Sequence, residues 1–243
     1  MLYIERSKAA MGIYVETRIR GSIDDLWERT QSPDLHERWD LRFSSIEYLP
    51  RPDPNQPQLF RYTTRIGFGL SIQGTGETVG EHDSVDGRRT SALKFWSSDP
   101  KSLIVAGSGY WQYIPDGDGV RFLTWYDYQT RFGAIGRFID RVVFRPLMGW
   151  ATAWSFDRLR LWIEYGLDPA TTLRSSLLRG ATRFGVAFAL GAASWALLGR
   201  RWAWLVQSLT LVAAVSSVTW QLPEHIPAAR RCLRRRPQPT AAR

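Results

Sequence analysis

From Gly12 to Arg20 apolar and polar residues alternate, with Ile13, Val15, Thr17 and Ile19 on one side and Tyr14, Glu16, Arg18 and Arg20 on the other. A period of two predicts a half-buried strand. Ser22 with Asp25 three positions on makes a capping-box-like start, after which Ile23, Leu26, Trp27 and Thr30 share one helical face. Ser32-Pro33 restarts a second short helix that carries Leu35 and Trp39, with proline at its first position. The chain then alternates between strand-like segments (43–49, 59–68, 70–79, 90–96, 104–114 and 120–130) and strong breakers, PRPDPNQP, EHDSVDGRR, SSDPKS and PDGDG. Such spacing predicts an antiparallel meander joined by hairpins. Phe60, Tyr62, Thr64 and Ile66 alternate with Arg61, Thr63 and Arg65, so one sheet face is apolar. The same parity turns Val120, Phe122, Thr124, Tyr126 and Tyr128 inward. Past Phe132 the period becomes helical: Arg137, Arg141 and Arg145 recur every fourth residue beside Phe138, Ile139 and Val142. Pro146 interrupts or restarts the helix, which runs on through Trp150, Trp154, Leu161 and Trp162 to Glu164. The uncovered sheet face is the surface this long helix has to cover.

Two apolar runs follow, Phe184 to Gly199 and Trp202 to Pro223. The second carries no charge and is long enough to span a bilayer, while the first reaches that length if Arg179 and Arg183 snorkel toward headgroups. Trp195, Trp202, Trp204 and Trp220 sit near the run ends, as in an aromatic belt. Gly185, Ala189, Ala192 and Ala193 in one run, with Ala213, Ala214, Ser216 and Ser217 in the other, let two helices pack closely. The pattern predicts a transmembrane helical hairpin whose far-side turn is ALLGRRWAW (196–204); two helices finishing a soluble core are the alternative, but neither run shows a polar stripe. Arg174, Arg179 and Arg183 before it, and Arg230, Arg231, Arg234, Arg235 and Arg236 after it, outnumber Arg200 and Arg201 in the turn, which places both ends in the cytoplasm. The first ten residues lack the apolar stretch of a signal peptide. The expected organisation is a globular domain at 11–166, a juxtamembrane linker at 167–183, the hairpin at 184–223 and a basic cytoplasmic tail at 224–243.

Composition changes this picture in one respect. The 243 residues hold 32 Lys+Arg against 23 Asp+Glu, yet from Thr172 onward there are 11 arginines and one acid, Glu224. The remainder is nearly neutral, so the pI of about 10.1 belongs to the tail. A phosphate-binding footprint belongs on the folded domain, so no nucleic-acid partner is expected. The lone Cys232 excludes an intramolecular disulfide; a plain tail thiol is favoured there over an acylation site.

The order strand, two short helices, antiparallel strands and long closing helix resembles the START-like helix-grip domains, the polyketide cyclase and lipid-transfer group called the SRPBCC superfamily. YVETRIRGSIDDLWERTQSPDLHERWD (14–40), RYTTRIGFGLSIQGTGE (61–77) and GSGYWQYIPDGDGVRFLTWYDYQTRFG (107–133) carry the resemblance, which covers most of 11–166. It implies an α+β fold in which an antiparallel sheet wraps around the C-terminal helix, and a cavity for lipids, polyketides or other hydrophobic small molecules. It says little about the hairpin.

Candidate chemistry is sparse. His36, His82 and His225 form no pair with metal-ligand spacing, and no serine or cysteine has an evident base, so neither metal nor cofactor is expected. GTGETVG (74–80) lies within a strand and opens no helix; its glycines, with Gly107 and Gly109, instead let the sheet bend or leave room in the groove. The aromatics are the excess: 12 Trp, 9 Tyr and 11 Phe. The expected ligand-binding set is Trp39, Tyr62, Thr64, Trp111, Tyr113, Tyr126, Tyr128 and Trp154, with Asp157 and Arg158 orienting a polar headgroup. Core packing is the alternative for each aromatic, a solvated helix face for the last two, and a structural corner for Trp39, Asp40 and Arg42. Arg137, Arg141 and Arg145 form an expected membrane-surface stripe. The reading that results is a membrane-anchored binding protein for a lipid or other hydrophobic molecule. A cyclase, dehydratase or hydrolase using Tyr126, Tyr128, Asp157 and Arg158 in the same cavity is the alternative, and a protein-interaction adaptor is a further one.

Overall fold

A computed structural model describes residues 12–53, 55–67, 69–219 and 223–236; Phe68, Trp220 and the chain ends lie outside this set, as do the side chains of Arg200, Arg201, Ala214 and Ser217. The chain divides into two units, 1–166 with 228–243, and 167–227.

The first unit begins with β1 (Ile13–Arg20), α1 (Ile23–Gln31) and α2 (Pro33–Trp39). Ser22 Oγ accepts the Asp25 amide at 3.1 Å, satisfying one of the donors that a helix start leaves open, and Asp24 and Asp25 complement its dipole. Six strands follow, β2 (Ser45–Tyr48), β3 (Leu59–Gly67), β4 (Leu70–Asp83), β5 (Arg89–Trp96), β6 (Ile104–Asp116) and β7 (Gly119–Thr130). They form one antiparallel sheet in the order β1-β7-β6-β5-β4-β3-β2. Ile13 lies opposite Tyr126 and Ile19 opposite Val120, so the apolar positions of the first and last strands share a face. The chain continues through α3 (Gly133–Ile139), a wide π-helical turn (Asp140–Phe144) and α4 (Arg145–Tyr165), which Gly166 ends at φ 66°. The architecture is α+β, seven antiparallel strands around a long helix.

The core lies between α4, α1, α2 and the β1–β7–β6 side of the sheet. Trp39, Tyr113, Phe122, Phe156, Leu159 and Leu161 are fully buried. Phe122 stacks on Phe156 with centroids 4.5 Å apart, and Trp39 meets Phe156 edge-on at 6.1 Å. Each such side chain contributes about 1.5–3 kcal/mol through burial.

Part of the basic C-terminal segment packs on the first unit. Glu16 and Leu233 exchange backbone hydrogen bonds of 2.9 and 2.8 Å, which covers part of the open edge of β1. Ala228 N–H and Arg231 Nη1 both donate to Asp157 Oδ2, at 2.7 and 2.8 Å, and Cys232 Sγ lies 3.2 Å from Ala153 O. Sequence-local reasoning misses this because the partners are about seventy and two hundred residues away along the chain.

The second unit is built on α5 (Pro169–Thr219), capped by Asp168 Oδ1, which accepts the Ala170 and Thr171 amides at 2.8 and 3.2 Å. Its two halves fold back on each other. A straight helix would separate Gly191 and Gln207 by about 24 Å, yet a Cβ built on Gly191 would stand 3.3 Å from Gln207 Cγ. Thr182, Val186 and Leu190 also line one groove with Thr210 and Ala213. The chain therefore bends back somewhere between Gly191 and Gln207. Among the described residues, however, no helix is long and apolar enough to cross a membrane, and the expected spanning segments are not supported. Arg174, Arg179 and Arg183 occupy the start of α5 and leave 16 apolar-rich residues up to Gly199, short of the roughly 20 that a span requires.

Candidate functional site

Strand pairing puts Tyr48, Phe60, Gly76, Phe95, Gly107 and Tyr128 opposite one another across β2, β3, β4, β5, β6 and β7, and Ile46, Tyr62 and Gly74 in the adjacent row. From Phe60 onward glycine alternates with ring, and the rings lie flat. A Cβ on Gly76 would fall 2.1 Å from Phe60 Cζ, one on Gly74 2.2 Å from the Tyr62 ring, and one on Gly107 2.4 Å from Phe95 Cζ. The space that these glycines keep open is taken by aromatic rings of the neighbouring strands. Phe60, Tyr62, Thr64, Ile72, Leu93 and Phe95 are all half-buried. The helix backbones pack closest on the two edge strands, α4 on β1 and α2 on β2. Over β3, β4 and β5 the inner face is thus an apolar floor that is only half covered.

A charged corner borders it. Burial alone would raise the Asp40 carboxyl, but the charge of Arg42 and hydrogen bonds from His36 and Arg42 hold it well below the usual carboxylate range. Arg42 Nε and Nη2 donate to Asp40 at 2.9 and 2.6 Å, and His36 Nε2 lies 3.1 Å from Asp40 Oδ2. Asp40 therefore ties the end of α2 to the loop before β2. Arg42 also contacts Tyr126, 5.5 Å from its ring, and its backbone carbonyl accepts Thr64 Oγ1 at 2.6 Å. Phe43 meets the Tyr62 ring edge-on at 5.6 Å, which joins the corner to the floor.

The residues expected to bind ligand separate into two groups. Tyr62 and Thr64 lie on the floor. Among the described residues, the Tyr62 hydroxyl has only a 3.5 Å contact to Trp96 O, and burial pushes that hydroxyl up to about 12. Trp39, Trp111, Tyr113, Tyr126, Tyr128, Trp154, Asp157 and Arg158 are buried, and most of their polar atoms are already engaged. Thr152 donates to Met148 O at 2.8 Å, which leaves its oxygen to accept Tyr126 O–H at 2.9 Å. Thr30 likewise bonds back to Leu26 O, so Tyr113 donates to Thr30 at 2.6 Å and accepts from Gln31 Nε2 at 2.9 Å. Tyr128 donates to Asp140 at 2.6 Å. Trp39 Nε1 donates to Arg29 O, Trp111 packs on His36 and Phe122, and Trp154 stacks on Trp150. Arg158 donates to the carbonyls of Trp39 and Arg38 at 2.8 and 2.9 Å, and Asp157 holds the returning tail and Arg160. The four groups proposed for acid-base work are thus committed within the protein.

The arginine stripe is corrected in one member. Arg137 and Arg141 are exposed, but Arg145 donates to Asp140 at 2.9 Å and Asp127 at 3.0 Å and lies 4.6 Å over the Tyr128 ring. The wide turn is the reason: the Arg145 amide bonds back five residues, to Asp140 O, which brings residues five apart together and sets Arg145 beside the buried Asp140 carboxylate. Sequence reasoning set Phe60 on the apolar sheet face without counting it among the ligand-binding residues, and missed Phe43 and Phe95 altogether. The signal was the pairing of glycine with aromatic, visible only once strands are aligned.

The chain matches no known family model. It is 53% identical over 167 residues to the uncharacterized membrane protein YndG of Bacillus subtilis, covering 68% of this chain. The chain spans 62% of the length of that curated relative. Among solved structures, a hypothetical protein from Helicobacter pylori superposes with a TM-score of 0.50 at 14% identity, over 65% of this chain and 90% of that one. A STAR-related lipid transfer protein fragment from Xanthomonas axonopodis reaches 0.43 at 17% identity, over 60% and 81%. The first is a likeness of fold, consistent with the sheet-and-helix arrangement described above.

Proposed function

We propose that the chain is a membrane-attached binding protein for a lipid or other hydrophobic small molecule, which lies on the floor of β3, β4 and β5. The observation that carries this reading is the half-covered row of flat rings, Phe60, Tyr62 and Phe95 over Gly76, Gly74 and Gly107. A ring lying on a glycine offers its face to whatever rests above it, and an apolar ligand there gains contact area without disturbing the core. The Tyr62 hydroxyl at the edge of the floor supplies a polar contact that fixes orientation. Attachment is supported by the second unit, where Phe188, Trp195, Trp202, Trp204 and Leu209 are each more than half exposed, an apolar surface that water does not favour. The name of the Bacillus subtilis relative points the same way. Flanking arginines outnumber those at the reversal, which supports placing both ends of the hairpin on the cytoplasmic side.

Native mass spectrometry of the full chain in mild detergent tests the binding. An apolar molecule is expected to travel with the protein and to be depleted in Tyr62→Ala, whereas a protein that is always empty ends this reading. Alkaline carbonate extraction tests the attachment independently, since release into the supernatant is incompatible with a hairpin buried in lipid.

A further inference from the structure

Between Phe132 and Leu147 the usual arrangement of a surface helix is inverted. Ile135, Phe138, Ile139, Val142, Val143 and Leu147 are exposed, from 43% to 71%, while the acid among them, Asp140, is buried against Tyr128 and Arg145. An amphipathic helix on a water-facing domain turns its apolar stripe to the core and its charges outward. The wide turn at 140–144 helps to produce the inversion, because it brings Arg145 in toward Asp140 while leaving its apolar neighbours outside.

The segment is specifically built. Phe132 adopts a left-handed conformation, φ 68°, rare for a side chain of this size, and holds its ring 55% exposed. Gly133 follows at φ 55°, and Gly136 admits no Cβ because one would lie 1.7 Å from Arg131 O. Arg131 is itself held by the carbonyls of Ser102 and Ser97 at 3.1 and 2.6 Å. A rigid entry therefore presents Phe132 and the ridge behind it outward.

We propose that this ridge is a lipid-contact surface that lays the first unit on an anionic bilayer, with Phe132, Ile135, Phe138 and Val142 in the acyl boundary and Arg137 and Arg141 on lipid phosphates. The two arginines decide the occupant. Both are exposed, and neither forms an ion pair with any described residue. Self-association through the ridge would bring like charges together, whereas an anionic surface complements them. The inference shares with the proposed function only the bilayer as partner and is independent of the hairpin.

The full chain carrying Val142→Cys, labelled with an environment-sensitive fluorophore, provides the test. Burial pushes the native Cys232 thiol up to about 12, with the Asp157 charge adding to it, so the label goes to the introduced site. Protein is added to phosphatidylcholine vesicles with and without phosphatidylserine. With phosphatidylserine the emission is expected to rise several-fold, shift to the blue and be quenched by spin-labelled lipid. Arg137→Glu/Arg141→Glu is expected to abolish these changes. Emission that is the same with and without phosphatidylserine overturns the proposal. So does a blue shift that follows protein concentration in the absence of vesicles, which assigns the ridge to a second copy. Retention after a carbonate wash, read on the same samples, reports on the hairpin alone: a retained protein with its label in water refutes the ridge and leaves the attachment standing.

Discussion

Tyr62 lies so closely over Gly74 that a methyl group on the glycine would stand 2.2 Å from the ring and 2.7 Å from Trp96 O. The first contact is with a side chain that can swing away, the second with backbone that cannot. Gly74→Ala is therefore expected to lift Tyr62 off the floor, lower the amount of copurifying apolar molecule and destabilise the first unit by about 1–3 kcal/mol. Gly80→Ala, on the same strand, has no atom within 4 Å of the new carbon and is expected to leave both unchanged. Denaturant unfolding with native mass spectrometry on the two variants checks the contrast.

Asp157 is fully buried and holds Ala228, Arg231 and Arg160 at once. Asp157→Ala leaves those donors without their acceptor and is expected to cost about 3 kcal/mol. It should also free the returning segment, so that Cys232 becomes accessible to a thiol reagent in native buffer. An Ellman assay that still finds the thiol protected would mean that the bridge between Glu16 and Leu233 holds the segment without Asp157.

The Cys232 thiol also predicts an alkaline dependence of stability. Burial raises it from 9.0 to about 12, so the unfolded chain loses the thiol proton first as pH rises. The sign follows: the stabilisation is complete below 9.0 and disappears between there and about 12. Cys232→Ala is expected to flatten this part of the pH profile, measured as the denaturation midpoint across that range.

At the acid end the sign reverses. The folded Asp40 carboxyl is held below its ordinary 3.8 by Arg42 and His36 despite burial, so its contribution is present above 3.8 and lost as pH falls below it. Asp40→Asn leaves Arg42 buried without its counter-charge and is expected to cost about 3–5 kcal/mol at neutral pH. Adding Arg42→Met should recover part of that loss. A double-mutant cycle that is additive would show that the two side chains are not coupled.

Arg141 and Arg145 have equal claims from spacing but different structural roles. Arg145→Ala removes two carboxylate contacts and the cation over Tyr128, with an expected cost of about 1–3 kcal/mol. Arg141→Ala is expected to stay within about 0.5 kcal/mol. Equal midpoints in chemical denaturation would place Arg145 back on the exposed stripe.

What the sequence determined by itself is what local periodicity can carry. Alternation at Ile13 to Ile19 and Phe60 to Thr64 marked strands and their inward side, and Ser22 and Pro33 marked helix starts. Each of these depends on neighbours a few positions away, where backbone geometry alone decides which side chains share a face. Only the tertiary structure decided which ring lies on which glycine, because that depends on register between strands separated by long turns. It also decided that Tyr113, Tyr126 and Tyr128 spend their hydroxyls on Thr30, Thr152 and Asp140, and that Ala228 to Leu233 return to Asp157 and Glu16. A buried donor takes the nearest acceptor in space whatever its position in the chain, and a single extra residue in the turn at 140–144 was enough to bring Arg145 inward while Arg141 stayed exposed.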